Sequence, residues 1–158
     1  PLAPMESWKR TRKLDSAMTA DEQVTPVYIL DEIAEIVAST PSEVHKDMAD
    51  FVIKKTDHKS PMVKYKALRL VKYVCGKEPA FRRAMARHAG AIRLLINFRG
   101  SPDPLKGDAP NKAVRDMAEG AVAAVFDDAP SVVTSGAAAG ANSARIQGFG
   151  SNGEGSIG

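Results

Sequence analysis

Hydrophobic residues recur every three or four positions along three segments of the chain, a spacing that places them on one face of an α-helix. The three stripes are Leu30, Ile33, Ala34 and Val37; Val44, Met48, Phe51 and Val52; and Val63, Ala67, Leu70, Val71 and Val74. Polar and charged residues occupy most of the positions between them. Each segment is therefore predicted to form an amphipathic helix with one face in a hydrophobic core.

Each of these segments is preceded by a pair of residues typical of a helix start. The hydroxyl residues Thr25, Thr40 and Ser60 are each followed directly by proline. A hydroxyl at the N-cap accepts a hydrogen bond from a free backbone N–H, and proline at the first helical position sacrifices no hydrogen bond. Because Glu43 follows Thr40 by three positions, a capping box is also predicted there.

The rest of the pattern predicts four further helices, at about 8–18, 80–88 and 91–98 and after the N-cap residue Asp108. The predicted inner face of the last helix consists of Val114, Met117, Ala118, Ala121 and Val125. Between 100 and 108, two prolines exclude a helix and Gly107 permits a positive φ, so a rigid connector is expected. Seven helices with short links and no alternating strand pattern predict an all-α solenoid of stacked helices.

The domain organisation follows from composition. The 158 residues fit one globular domain, which we place at 5–128. Residues 1–4 are typical of the remnant of a cleaved tag. From 129 to 158, Gly, Ser and Ala dominate and hydrophobic periodicity ends, so a flexible tail is predicted, with 145–150 as a segment that could order. Nothing in the pattern requires a dimer, and a monomer is expected.

Charge is sorted along the chain, although the net charge is only +3. Residues 15–57 contain ten acidic and three basic residues, whereas residues 58–102 contain eleven Lys and Arg and a single acid, Glu78. Such a split predicts a domain with an acidic end and a basic end, and the basic end would attract anions. An anionic membrane, a phosphorylated or acidic peptide and nucleic acid are the candidate partners on charge alone.

The basic residues most suited to binding lie on the predicted fourth and fifth helices. Lys66, Arg69 and Lys72 recur every three positions beside the apolar stripe, which predicts an exposed basic ridge. Arginines of the fifth helix extend it into a patch suited to phosphate. The candidate anionic-lipid or phosphopeptide contacts are Lys64, Lys66, Arg69, Lys72, Arg82, Arg83 and Arg87. The alternative interpretation is a set of solvated helix faces without a ligand.

Trp8 is flanked by Lys9, Arg10, Arg12 and Lys13, which allows two interpretations. It could anchor the domain at a membrane interface, where tryptophan is favoured, or it could pack against the first layer of helices. The acidic positions are scattered along amphipathic helices without the spacing of a metal or acid–base site, so we interpret them as solvated. These positions are Asp31, Glu32, Glu35, Asp47 and Asp50.

Other chemistry is not indicated. Cys75, the only cysteine, stands in an apolar run and is predicted to be an inert core thiol, which suits a reducing, cytoplasmic compartment. His45, His58 and His88 are isolated, and no nucleophile motif is present. No apolar stretch approaches the ~20 residues that span a bilayer. We therefore expect no cofactor, no metal and no catalytic activity, and any membrane contact should be peripheral.

Three stretches carry a resemblance to a known family. The first, 14–21 followed by 28–34, resembles the first two helices of ENTH domains, and the second, 66–74, resembles their fourth helix. The third is more specific: Gly100-Ser101-Pro102-Asp103-Pro104-Leu105-Lys106-Gly107-Asp108, with Asn111-Lys112-Ala113-Val114-Arg115, resembles the tepsin branch of the ENTH/VHS superfamily. The resemblance covers roughly residues 8–150 and includes the Arg-Ile-x-Gly-Phe-Gly segment at 145–150.

This resemblance implies a right-handed helical superhelix in an accessory protein of coated-vesicle traffic from the trans-Golgi network to the vacuole. The implied partners are clathrin and the fourth heterotetrameric adaptor complex, contacted by regions beyond this sequence, and no nucleic acid is expected. It also implies a peripheral location at the trans-Golgi network and on clathrin-coated vesicles. The same superhelix occurs in nuclear domains that read the phosphorylated tail of RNA polymerase, which is the alternative function.

The resemblance also bears on lipid binding. Lys66 matches a basic position that epsin-type ENTH domains use for phosphoinositides, whereas Val63 stands where those domains have a histidine. Epsin-type domains also use an additional N-terminal helix, and here the first predicted helix begins near Trp8. We therefore expect weak electrostatic contact with an anionic membrane in place of the epsin mode of insertion.

Overall fold

The computed structural model describes residues 4–126, with side chains from Glu6 onward. The predicted tail at 129–158, including the 145–150 segment, lies outside the described residues, as do the first three residues of the expected tag remnant.

Within the described part the chain forms seven α-helices and a single 3₁₀ turn. The helices are α1 (Pro4–Ser16), α2 (Val27–Ala38), α3 (Ser42–Lys55), α4 (Pro61–Lys77), α5 (Pro79–Ala86), α6 (Ala89–Leu94) and α7 (Ala109–Phe126), and the 3₁₀ turn is Leu95–Asn97. This confirms the all-α superhelical fold. None of the helices in residues 4–126 is both long and apolar enough to cross a bilayer.

Helix α4 is the centre of the domain. It packs most extensively against α7 and also contacts α2, α3 and α5. Leu68, Leu70, Val71 and Val74 of α4 are completely buried, which confirms the predicted stripe and extends it to Leu68. The predicted inner face of α7 is buried at Val114, Ala118, Ala121 and Val125 and partly buried at Met117.

The predicted caps are correct for one helix and wrong for two. The Ser60 hydroxyl accepts from Met62 N at 3.2 Å and from Val63 N at 3.4 Å, with proline at the first position of α4. By contrast, Thr25 is buried and donates to the Ala17 carbonyl at 2.9 Å. Thr40 donates to the Ile36 carbonyl at 2.5 Å, so the capping box with Glu43 does not form. In both helices the proline itself occupies the N-cap position. The hydroxyl before it therefore donates to a carbonyl of the preceding helix or loop.

The connector between α6 and α7 is held rigid by its own hydrogen bonds. The backbones of Asp103 and Gly107 pair at 2.7 and 2.9 Å, and Gly107 adopts φ +65°. The Asp103 carboxylate accepts from the backbones of Leu105 and Lys106, which lowers the pKa of Asp103. The Asp108 carboxylate, predicted as a cap, instead accepts from the Asn111 and Arg115 side chains.

Candidate interaction surface

Lys66 was predicted to belong to an exposed ridge, and the structure shows that this is wrong. Only 2% of its surface is exposed. Its Nζ donates to the Thr19 hydroxyl at 3.1 Å, the Asp21 carbonyl at 2.9 Å and the Asp21 carboxylate at 3.2 Å. Lys66 therefore ties the loop between α1 and α2 to α4, and its ammonium group is not free for a ligand.

The other cations of α4 are also drawn into contacts within the fold. Arg69 donates to the Thr25 carbonyl at 2.6 Å and Lys64 to the Thr56 carbonyl at 2.7 Å. Burial lowers the pKa of Lys64, although the charge of Asp57 opposes that shift. Lys72 is exposed, but its stem lies against Gly120 of α7, where an added Cβ would stand 3.1 Å from Cδ of the lysine. The helix α4 does not present a continuous basic ridge.

The three predicted arginines of α5 divide between two sides of that helix. Arg82 is half-buried, and its charge acts on the Cys75 thiol. Burial dominates at that thiol and raises the pKa of Cys75 to about 12. Arg83 and Arg87 are exposed and line a cleft on the side of α5 that packs against α3.

The cleft between α3 and α5 has a volume of about 460 Å³. It is lined by Ser42, Glu43 and Lys46 of α3, by Ala80, Arg83 and Ala84 of α5, and by Arg87, the C-cap residue of α5. Sequence reasoning missed Lys46 because it stands inside the acidic stretch 15–57. The helical register of Lys46 indicated its place, because Lys46 follows Ser42 by four positions and therefore lies on the same side of α3. We call this site the α3–α5 cleft.

Arg87 is held in place at the edge of the α3–α5 cleft. Its guanidinium donates to the Asp50 carboxylate at 2.5 Å, and His88 Nε2 lies 2.8 Å from the same carboxylate oxygen. Burial raises the pKa of Asp50, but the hydrogen bond of His88 and the charge and hydrogen bond of Arg87 outweigh it, so the pKa of Asp50 lies below its usual value. The carboxylate thus stays ionised and fixes the arginine fork.

A second basic cleft lies along α1. Its volume is about 360 Å³, and Lys9, Arg10 and Lys13 line it together with Glu6, Ile36 and the link Ser39–Pro41. Trp8 is 58% exposed, and the Arg12 guanidinium stacks 4.8 Å from the centre of its ring. The interpretation of Trp8 as a packed side chain is therefore wrong. We call Trp8, Lys9, Arg10 and Arg12 the α1 basic face.

The acidic and basic stretches of the sequence do not form separate ends of the domain. Acids of the first stretch pair with cations of the second across the packed helices. These pairs are Asp21 with Lys66, Asp31 with Lys77 and Asp50 with Arg87. Asp31 also accepts a hydrogen bond from Tyr73, which together with Lys77 lowers the pKa of Asp31. In the part of the chain that the structure describes, two clefts keep a lining with more cations than acids.

Both clefts are suited to binding anions. Three cations and one carboxylate line each of them, so each carries a net positive lining. Neither lining contains a histidine or a cysteine. This arrangement supports recognition of a negatively charged partner.

Curated proteins from a plant and from mammals are similar to this chain. Protein MODIFIED TRANSPORT TO THE VACUOLE 1 of Arabidopsis thaliana is 44% identical over 147 residues, which cover 92% of this chain and 21% of the relative. The AP-4 complex accessory subunit Tepsin of Mus musculus is 29% identical over 113 residues, 70% of this chain and 20% of the relative. The chain thus spans about a fifth of the length of these relatives. A scan against family models finds no match.

Solved structures give the same result. An NMR structure of an ENTH-VHS domain from Arabidopsis thaliana is 42% identical, with a TM-score of 0.74 over 84% of this chain and 94% of that domain. A second NMR structure of the same domain is 43% identical, with a TM-score of 0.75 over 86% of this chain and 99% of that domain. At this identity and coverage the likeness extends beyond the fold to common descent.

Proposed function

The chain belongs to the tepsin-like branch of the ENTH/VHS family, and from that premise we propose that it is a non-catalytic accessory module of vesicle traffic. In the finer form of the proposal, it serves clathrin- and adaptor-coated vesicles that leave the trans-Golgi network for the vacuole. The observation that carries it is the 44% identity, over 92% of this chain, to a protein named for modified transport to the vacuole.

The proposed partners of the whole protein are clathrin and the fourth heterotetrameric adaptor complex. Tepsin, the more distant relative, is itself named as an accessory subunit of the AP-4 complex, which supports the adaptor. Since the matched region is about a fifth of each relative, we assign adaptor contacts to regions outside it and assign to this domain a scaffold and membrane-proximal role.

The α1 basic face supports weak membrane contact. Arg12 stacks on the exposed ring of Trp8, and Lys9 and Arg10 follow the tryptophan on the same helix. Amphipathic tryptophan prefers the headgroup zone of a bilayer. Each cation near an anionic leaflet contributes about 1 kcal/mol. Three such cations give a reversible, salt-sensitive attraction that needs a second contact to become stable.

The cellular role is tested with the full-length protein carrying a fluorescent tag. We expect it to coincide with trans-Golgi and clathrin markers and to co-precipitate subunits of the fourth adaptor complex. A nuclear distribution, with recovery of phosphorylated RNA polymerase, would favour the alternative function of a polymerase-tail reader and overturn the trafficking role.

The membrane contact is tested separately, with the fluorescence of Trp8, the only tryptophan in the chain. Vesicles that contain phosphatidylserine should shift its emission to the blue at low salt. The variant Lys9→Ala/Arg10→Ala/Arg12→Ala should lose this shift. The matched control Lys54→Ala/Lys59→Ala/Lys112→Ala removes the same charge from exposed positions elsewhere and should retain it. An equal loss in both variants would mean that net charge, and not the α1 basic face, drives the contact.

A further inference from the structure

We propose that the α3–α5 cleft binds a phosphorylated peptide, with the phosphate of a phosphoserine or phosphothreonine held by Lys46, Arg83 and Arg87. The cleft brings Lys46 together with two arginines that follow it by 37 and 41 positions, where α3 and α5 pack directly against each other. Phosphopeptide capture is a property of the isolated domain and does not depend on the trafficking role.

The cations of the α3–α5 cleft are not neutralised equally. Arg87 is paired with Asp50 at 2.5 Å, so its position is fixed and its charge is partly compensated. In the described part of the chain, the side chains of Lys46 and Arg83 have neither an ion-pair nor a hydrogen-bond partner, and both are exposed. Two uncompensated cations beside an anchored third match the charge of a phosphate monoester, which is about −1.5 to −2 at neutral pH.

The chemistry of the lining favours phosphate over a carboxylate. The planar fork of Arg83 can donate two parallel hydrogen bonds to phosphate oxygens, while Lys46 adds a compact charge from the opposite helix. Ser42 supplies a hydroxyl donor to the same cleft. A phosphate has three terminal oxygens to accept from these groups, whereas a carboxylate has two.

The shape and remaining charge of the cleft favour a peptide over a membrane. The cations lie in a concave space between two helices, and Ala80 and Ala84 provide an apolar lining for a neighbouring side chain of a peptide. No large exposed hydrophobic side chain projects from this lining, in contrast to Trp8 on the α1 basic face. Glu43 also lines the cleft and repels a continuous anionic surface more than a single phosphate beside neutral residues.

The test uses the domain and two degenerate fluorescent peptide pools, one with a central phosphoserine and one with serine. We expect fluorescence polarisation to show salt-sensitive binding of the phosphorylated pool only. The variant Lys46→Ala/Arg83→Ala should weaken it about tenfold or more. The control Lys54→Ala/Lys59→Ala removes equal charge away from the cleft. Lys54 lies eight residues beyond Lys46 in α3, or about 12 Å along the helix. The control should leave binding within about twofold, because it acts only through screened long-range charge.

A gain of binding gives a further check that loss of folding cannot imitate. Glu43→Gln removes the carboxylate of the α3–α5 cleft, so it should strengthen phosphopeptide binding several-fold. Amide shifts of the nitrogen-15-labelled domain with phenyl phosphate should concentrate at 42–46 and 80–87.

Three results would overturn the proposal. The first is equal binding of both pools, and the second is equal loss in the cleft variant and its control. The third is phosphate binding that appears only with vesicles containing phosphatidylinositol 4-phosphate and is abolished by Lys46→Ala/Arg83→Ala. That last result would assign the cleft to a lipid headgroup.

Discussion

Replacing Lys66 with methionine should destabilise the domain by about 2–3 kcal/mol, because this residue acts in folding and not in binding. The change keeps the length and volume of the aliphatic stem, so the core around α4 stays filled. What is lost is the ammonium group, with its three hydrogen bonds to the hydroxyl of Thr19 and to the backbone and carboxylate of Asp21.

The magnitude follows from opposing terms. A hydrogen bond that involves a charged group contributes about 1.5–3 kcal/mol, and an acceptor that is left unpaired in a buried position adds a further cost. Here the acceptors belong to Thr19 and Asp21, which are exposed and can bind water once the lysine is gone. Methionine also removes the cost of burying an ammonium group that is only 2% exposed. Adding the full energies of three hydrogen bonds would therefore overestimate the loss of folding free energy, which should be close to the energy of a single bond.

The assay is urea unfolding followed by circular dichroism, with the midpoint and the slope fitted together. Lys72→Met, on the exposed side of the same helix, is the control and should change the free energy of unfolding by less than about 0.5 kcal/mol. If Lys66→Met behaves like this control, the ammonium reaches solvent and the structural assignment is refuted. The prediction also implies that reversing the charge of Lys66 would damage the fold before it could report on lipid binding.

Three further predictions concern other parts of the domain. Gly107→Ala should lower the free energy of unfolding by about 1–2 kcal/mol, because φ is +65° there. Gly90→Ala should raise it by about 0.5–1 kcal/mol, because Gly90 lies in helix α6 and an added Cβ would meet open space. Thermal unfolding measures both changes, and changes of the same sign would contradict the reasoning. Cys75, buried and with its pKa raised to about 12, should resist a thiol reagent at pH 8 in the folded domain and react once urea unfolds it, and rapid reaction of the native thiol would count against its burial. Burial raises the pKa of Asp50, but His88 and Arg87 outweigh burial and hold the pKa below 3.8. The stabilising contribution of Asp50 should therefore be complete above that pH and be lost as the pH falls through the lower pKa of the folded state. Asp50→Asn should reduce this loss of folding stability at acid pH, and an unchanged dependence of stability on pH would show that the carboxylate is not linked to folding.

Local sequence patterns were sufficient for the helices. The spacing of Leu70, Val71 and Val74 identified the buried face of α4, and Ser60 identified its start. These features depend on residues within about one helical turn of each other, so periodicity and capping rules apply directly. The same rules failed at Thr25 and Thr40, where a competing carbonyl of the preceding helix or loop was available.

The candidate surface was only partly predictable. Arg83 and Arg87 were identified from charge and helical register, but Lys46 was hidden in an acidic stretch. Helical register placed Lys66 beside the apolar stripe, yet the loop at 19–25 folds over it and buries it. A period of 3.6 residues describes one helix and contains no information about which other segment will cover its flank.

The sequence by itself determined the all-α class, the inner faces of the helices and the rigidity of the connector at 100–108, because each follows from interactions between near neighbours. Only the tertiary structure decided where charge remains. Asp21 and Lys66 are 45 residues apart and Asp31 and Lys77 are 46 apart, yet packing of α2 and of the loop before it against α4 joins them. Such pairing cancels the charge split that is visible along the chain, and it leaves Lys46 and Arg83, together with the anchored Arg87, as the surface that we propose for recognition.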